Sequence, residues 1–224
     1  SRLMEEEGIY YYFTHDAASH TLVLCDGPTA HKNNPGVATI HYFPWANQNR
    51  RRYPPIYDWC LSQQIQSGSY HLNDYHFETP KADLKAQAKL QAEHAEAAKE
   101  VYDYPGEYTK PAEGDHYAKI RMEEVRAGHE QIQAKGNARH LATGFKFKLT
   151  HFPREDQNRD YLILATHFQI QNNEYESQGI PDCAEPFQCD YTVLSSELTY
   201  RPPRLTPVPI VQGVQTALVV GPSG

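Results

Sequence analysis

Apolar and polar positions alternate with period two through much of this chain, so strands dominate its reading. Residues 9–14 and 20–25 are runs of β-branched and aromatic residues on either side of His15-Asp16-Ala17-Ala18-Ser19. They predict a hairpin, and Asp26-Gly27-Pro28 supplies the turn chemistry that ends it. Residues 26–56 are rich in Asn, Pro, Gly and Arg and have little periodicity. They read either as a long irregular loop or as a connector with one short strand near Thr39 to Phe43. From Tyr57 to Phe77 the pattern is mixed strand, with Ile56, Trp59 and Leu61 on one run and Tyr75 and Phe77 on the next. Residues 145–150 alternate strictly, burying one face and turning lysines to water. Residues 161–171 and 191–200 are longer strands, Val193 facing opposite to Leu194, and the second runs into the stiff, extended Tyr200-Arg201-Pro202-Pro203-Arg204. An apolar run follows from Val208 to Val220, and there is no internal repeat.

Two segments change the period. Between Lys81 and Lys99 the composition shifts to Ala, Lys, Gln and Glu, and Leu84, Ala88, Ala92 and Ala95 recur at helical spacing. This face is weakly apolar, so a surface helix or a loop excursion is expected, with no chemistry. Asp115 is a good N-cap, and Ala118, Met122, Val125, His129 and Ile132 then keep 3.6-residue spacing until Gly136-Asn137. The helix is predicted over about 115–134, and the fold class is mainly β with some α (α+β). The opening Arg2-Leu3-Met4-Glu5-Glu6-Glu7 reads as the last turns of a helix stopped by Gly8 in a left-handed conformation. Nothing before Ser1 supplies its earlier turns, so the chain is expected to be a piece of a longer protein.

At 224 residues the chain can bury a real core in one large domain or two small ones. Only 39% of residues are apolar, yet 12% are aromatic and 16 are Tyr, which is not a disordered composition. Tyrosine packs its ring and keeps its hydroxyl wet, so such a chain suits solvated or intersubunit surfaces. The net charge of −7 argues against sequence-independent nucleic-acid binding, which needs a positive field. The one basic cluster, Arg50-Arg51-Arg52, lies beside Pro54-Pro55 and reads as a solvated loop. No apolar stretch approaches the roughly 18 residues needed to span a bilayer. The cysteines at 25, 60, 183 and 189 have no zinc-ligand spacing. Cys183 and Cys189 flank an expected turn and are read as two unpaired thiols, with a disulfide as the alternative.

Several segments, in order, resemble the VgrG spike proteins of type VI secretion systems. They are RLMEEEGIYYYF at 2–13, TLVLCD at 21–26, Ser67-Gly68 with NDYHFETP at 73–80, and VYDYPGEY at 101–108, the most specific. NAR at 137–139 with GFKF at 144–147, Pro153-Arg154 with NRDYL at 158–162, YRPP at 200–203 and the stretch from Thr216 to Pro222 complete the set. The Ala/Lys-rich stretch at 81–99 departs from the pattern. The resemblance implies phage tail-hub-like β-barrel or sheet domains. Residues 1–200 would be the later portion of the tail-hub-like region. Residues 201–224 would be an extended linker into an oligonucleotide-binding-type barrel that is absent here.

It further implies a trimeric hub that caps the Hcp tube and carries a membrane-piercing needle. The partners would be two further copies, Hcp, baseplate components and effector or adaptor proteins, with membrane contact only through the missing needle. Such a protein would wait in the bacterial cytoplasm and leave through a contractile machine without a cleavable signal. The motif residues expected to have structural roles are Glu5, Glu6, Glu7, Gly8, Tyr102, Asp103, Tyr104, Pro105, Gly106, Asn158, Arg159, Tyr161, Pro202 and Pro203. With −7 on each chain, subunit contacts are expected to be aromatic and aliphatic.

No enzyme is expected. None of the 12 histidines stands in His-x3-His or His-Glu-x2-His spacing, and neither a Gly-x-Ser-x-Gly elbow nor a phosphate-binding glycine loop occurs. His71 and His76 straddle Asn73-Asp74, His15 and His20 bracket a turn, and Asp58 lies near Cys60, but nothing joins these into a site. No catalytic, cofactor or metal-binding residue is assigned. The alternatives to a structural hub are a β-rich adaptor or carbohydrate-binding module, with tyrosines lining a groove, and a hydrolase using carboxylates and histidine.

Overall fold

The computed structural model describes residues 1–44, 54–90, 98–171, 187–218 and 220–221. In chain order its elements are α1 (Arg2–Glu6), β1 (Tyr10–His15), β2 (His20–Cys25), β3 (Thr39–His41), β4 (Ile56–Gln63), β5 (Ser69–Leu72), β6 (Ala86–Lys89), β7 (Glu100–Asp103), α2 (Pro111–His129), β8 (Glu130–Gly136), β9 (Lys146–Thr150), β10 (Asp160–Ile170) and β11 (Phe187–Ser195). The mainly β class holds. The expected hairpin is β1–β2, paired antiparallel from Tyr10–Cys25 to His15–His20.

The principal sheet has six strands in the order β3-β9-β10-β11-β8-β4. Its two edges meet: the Phe43 N–H donates to Ile56 O at 2.8 Å, and Tyr42 bridges to Ile56. The sheet therefore curls until its edge strands satisfy each other, which removes the exposed hydrogen-bonding rows of an open sheet. Inside lie Ile40, Ile56, Trp59, Ile132, Phe147, Leu149, Tyr161, Ile163, Tyr191 and Val193. Ile56 and Trp59 both face this core although three residues apart, because the register shifts between Ile56 and Asp58. Val193 and Leu194 point to opposite faces and both are fully buried. The outer face at Leu162, the partner of Leu194, shares a cleft with Met4, Tyr10, Tyr12 and Tyr200.

A smaller sheet, β6-β5-β7, packs on α2 through Tyr70, Leu72, Leu84, Ala86, Tyr108, Ala118 and Met122. The Tyr108 ring lies between Gly106 and Gly114, where an added Cβ would come within 2.3 and 2.5 Å of it.

Tyr75 and Phe77, read as part of a strand run, lie beyond the end of β5 at Leu72 in irregular chain and turn, and the structure corrects three further expectations. The helix runs over Pro111–His129, not 115–134, and Asp115 is not its cap. Pro111 takes the first helical position with its preset φ, Lys110 is extended, and the Glu113 carboxylate accepts the Thr109 N–H at 3.3 Å. At the far end Glu130 is already extended at φ −127°, because Ile132 and Ala134 are claimed by the core of the six-stranded sheet. Second, Ala86–Lys89 is a strand, not a helix or excursion, since Leu84 and Ala86 bury against α2 while Gln87 and Lys89 face water. Third, Phe187 and Gln188, expected in a turn, begin β11. Cys189 is a free, buried thiol, and Cys183 lies outside the described residues. The Arg50–Arg52 cluster, Ala92 and Ala95 also fall outside them.

Candidate functional site

Three motif segments far apart in sequence converge where the chain leaves the fold. They are the EEEG run of α1, the YDYPG run after β7, and the YRPPR exit. Arg121 of α2 stands at the centre with its side chain only 3% exposed. Its Nη2 donates to the carbonyls of Glu5 at 2.6 Å and Glu6 at 3.0 Å, and its Nη1 pairs with Glu124 at 2.5 Å. Those carbonyls end a five-residue helix, where Glu5 O has a long 3.3 Å bond from the Gly8 N–H, so the guanidinium supplies the shorter hydrogen bonds and the positive charge that a helix C-terminus favours. Burial lowers the Arg121 pKa and the Glu124 carboxylate opposes that shift.

The three glutamates that follow one another in sequence hold three different elements. Glu5 accepts the backbone N–H groups of Leu205 at 3.0 Å and Thr206 at 2.9 Å, and the Thr206 hydroxyl at 2.6 Å. The Thr206 bonds hold its carboxyl below the ordinary range. Glu6 pairs with Arg2 on its own helix. Glu7 faces α2, accepting from the Tyr117 hydroxyl at 3.0 Å and lying 3.2 Å from His116 Nε2. Burial, then the bond to Glu7, pushes the Tyr117 pKa up to about 12.

Gly8 has φ +70°, the left-handed stop expected of it. A Cβ there would lie 2.9 Å from Arg201 Cδ and from Ile120 Cγ2. Arg201 uses this space, donating to Gly8 O at 3.1 Å, Asp26 O at 2.7 Å and Glu123 at 2.7 Å. Directly after the prolines, Arg204 donates to Asp103 at 3.2 Å and to the Tyr70 hydroxyl at 3.3 Å. Asp103, Tyr104, Pro105 and Gly106 line a cleft of about 490 Å³ with Glu5, Arg121 and Arg204. The Gly106 N–H donates to Asn73 O at 3.0 Å, and the Tyr104–Pro105 bond is cis. Tyr102 and Tyr104 are more than half exposed. Pro202 lines the neighbouring cleft with Tyr200, whose ring meets Tyr10 edge-on at 5.0 Å, and Pro203 faces water.

Asn158, Arg159 and Tyr161 form a separate arrangement at the β9–β10 turn. The Asn158 amide bonds both backbone groups of Phe152, accepting at 2.8 Å and donating at 3.0 Å. Arg159 pairs with Glu130 and stacks over the Tyr161 ring, and the buried Tyr161 hydroxyl donates to Gln157 O at 2.9 Å.

Sequence reasoning missed Arg121, Glu123 and His31. A charged residue between Ile120 and Met122 on a helix was the available signal for Arg121. His31 is 6% exposed and lies 113 residues from its partner Gly144. Its Nδ1–H donates to Gly144 O at 2.8 Å, which leaves Nε2 to accept the Tyr10 hydroxyl at 2.6 Å.

Among the described residues no group of three or more His, Cys, Asp or Glu side chains is arranged to hold a metal ion, and no helix is long and apolar enough to cross a membrane. Burial raises the Cys25 thiol and pushes Cys189 up to about 11, the opposite of nucleophile activation. Asp58 and Cys60 are both exposed.

The sequence pattern of the family described as phage tail baseplate hub (GPD) matches residues 1–174. Over all 224 residues the chain is 43% identical to the type VI secretion system spike protein VgrG1b of Pseudomonas aeruginosa and 39% identical to its VgrG1a. It spans 30% and 34% of their lengths, about a third of each. Among solved structures, a component of the type VI secretion system from E. coli, described as similar to bacteriophage tail proteins, aligns over 95% of this chain and 40% of its own. That match has a TM-score of 0.55 at 13% identity. A 43 kDa tail protein of prophage MuSo2 from Shewanella oneidensis aligns over 88% of this chain and 53% of its own, with a TM-score of 0.54 at 9% identity. At those identities the structural likeness speaks for the fold alone. The chain belongs to the phage tail baseplate hub family, and within it to the VgrG spike proteins of type VI secretion.

Proposed function

We propose that this chain is the later portion of the tail-hub-like region of a spike protein, residues 1–200, with residues 201–224 as the linker toward the next barrel. The hub is a trimer that caps the Hcp tube, meets baseplate components and carries effectors or adaptors, while the membrane is reached only by a needle outside this chain. The protein waits in the cytoplasm and is exported on firing, and it makes no bonds of its own. The observation that carries this reading is the anchored exit. Arg201, Arg204 and Glu5 tie the departing strand to α2, β7 and α1 at one place, after which residues 205–218 run exposed. A load on that strand is thereby shared among α1, α2 and β7 instead of pulling on one turn. The motif residues are structural in this reading: Glu5, Gly8 and Asp103 hold the exit, Glu7 ties α1 to α2, Gly106 and Pro105 shape the exit's seat, and Asn158, Arg159 and Tyr161 brace the curled sheet.

A second feature supports assembly. Tyr11, Phe13, Leu22 and Leu24 stand exposed on one face of the β1–β2 hairpin. They suit the aromatic and aliphatic contact that chains of net charge −7 need between copies. The test is the mass in solution of this chain beside a version extended through the barrel and needle, each mixed with Hcp rings. A trimer that binds Hcp in the extended version is expected. A monomer that ignores Hcp in both versions overturns the reading, as does turnover of any substrate abolished by one substitution here.

A further inference from the structure

His41 closes β3 and His151 follows β9, and the parallel pairing of these strands sets His41 opposite Thr150. His151 adopts φ +65°, a left-handed backbone that side chains with a Cβ rarely take. That turn places its imidazole beside that of His41, with the two Nδ1 atoms 3.0 Å apart. Thr150 Oγ1 lies 2.6 Å from His41 Nδ1 and 3.2 Å from His151 Nδ1. The hydroxyl proton has its own acceptor in Ile40 O at 3.3 Å, which turns the oxygen's lone pairs toward the rings. Three candidate ligand atoms thus lie within 3.2 Å of one another on exposed side chains, sharing hydrogen-bonding protons that a bound cation would displace.

The rings are not set head to head. Their centroids are 4.7 Å apart and their planes cross at 80°. An imidazole centroid lies roughly 1.1 Å behind Nδ1, so a collinear pair would have centroids about 5.2 Å apart. The observed centroid separation is shorter than that, so the two Nδ1 atoms are not opposed end to end, and nitrogens 3.0 Å apart can both lie about 2 Å from one cation, the metal–imidazole bond length. We propose that His41 and His151, with the Thr150 hydroxyl, form a binding site for a divalent first-row cation that favours imidazole, with water completing the coordination. Zinc, copper and nickel have that preference. The site is separate from the exit anchor and uses no residue of it. It would tie β3, which shares only three residue pairs with β9, to the turn that follows β9.

The whole chain is titrated with Cu²⁺, followed by electron paramagnetic resonance, and with Zn²⁺ in a calorimeter. One tight equivalent is expected, with nitrogen hyperfine structure from two imidazoles. Loss of groups that merely orient a metal ligand weakens binding about 10–100-fold, so His41→Gln and His151→Asn should each weaken it at least about tenfold. Asn tolerates the left-handed backbone at 151, and His41 lies in ordinary strand, so the folds are retained. If His151→Asn does not fold, His41→Gln alone decides. His15→Gln with His20→Gln, whose rings are 6.3 Å apart on the hairpin, should leave the tight equivalent unchanged. Equal affinity in the parent and in the His41→Gln/His151→Asn variant overturns the site, and so does loss of the tight equivalent only in the hairpin variant.

Discussion

Replacing Arg121 by methionine removes two charge-assisted hydrogen bonds to the carbonyls of Glu5 and Glu6 and one ion pair with Glu124. A hydrogen bond to a charged group contributes about 1.5–3 kcal/mol. The two carbonyls are part-buried, and Glu5 O keeps a 3.3 Å bond from the Gly8 N–H, while Glu124, with a side chain 25% exposed, regains water and recovers part of the loss. The expected destabilisation is therefore about 3–4 kcal/mol, near the 3–5 kcal/mol found when one partner of a buried pair is deleted. In a chain of this length that lowers Tm by roughly 6–15 °C. Urea denaturation followed by circular dichroism measures it. A second variant separates the two sources: Arg121→Met with Glu124→Leu removes both charges but leaves Glu6 O without a protein partner and Glu5 O with only the 3.3 Å bond from the Gly8 N–H. If capping carries the stability, the double variant stays near the single one. Recovery of the parent's stability in the double variant would assign the effect to the ion pair, and a single variant within about 0.5 kcal/mol of the parent would refute the reasoning outright.

Gly8→Ala forces a Cβ into a φ of +70° and to within 2.9 Å of Arg201 Cδ and Ile120 Cγ2, so a loss of about 1–3 kcal/mol is expected in the same denaturation assay. Glu5→Gln keeps the shape but weakens the grip on Leu205 and Thr206, and limited proteolysis between 207 and 218 should quicken while the core fragment persists. His31 is neutral in the fold because burial lowers its pKa from the ordinary 6.5. The unfolded chain then binds the extra proton first as pH falls, so its contribution is complete above about pH 6.5 and declines below that value toward the lowered one. His31→Gln should flatten that part of a Tm-against-pH curve, and an unchanged slope would show that another group sets it.

Strands with clear alternation were legible in the sequence, and those built from helix formers were not. Lys146–Thr150 alternates phenylalanine and leucine with lysine, so one face declares itself. Glu130–Gly136, EQIQAKG, alternates equally well, with Ile132 and Ala134 inside, but Glu, Gln, Ala and Lys are favourable helix residues and follow a real helix without a break. Its strand state is set by β11 on one side and β4 on the other, which supply two ladders that no local preference records. Ala86–Lys89 repeats the case on a smaller scale, since Leu84 and Ala86 are small enough in number to fit either period. Propensity differences of a few tenths of a kcal/mol per residue cannot compete with two hydrogen-bonded neighbours and a buried face.

The exit anchor was half legible for a different reason. Motif resemblance marked Glu5, Gly8, Asp103 and Pro202 as structural, but it said nothing of what each one touches. Their partners lie on α2 and on the exit itself, at separations such as 116 residues for Arg121 and Glu5 and 193 for Arg201 and Gly8. A carboxylate on a surface helix normally contributes little, because water screens it. Here the same residue type works through backbone N–H groups that leave the fold and have no strand to pair with, so its value comes from unsatisfied donors and not from an opposite charge. That distinction sets where substitutions should hurt. Changes at Glu5, Arg121 and Arg201, which answer to main-chain groups, should loosen the exit more than changes at Arg204, which is itself half open to solvent and bonds only to side chains.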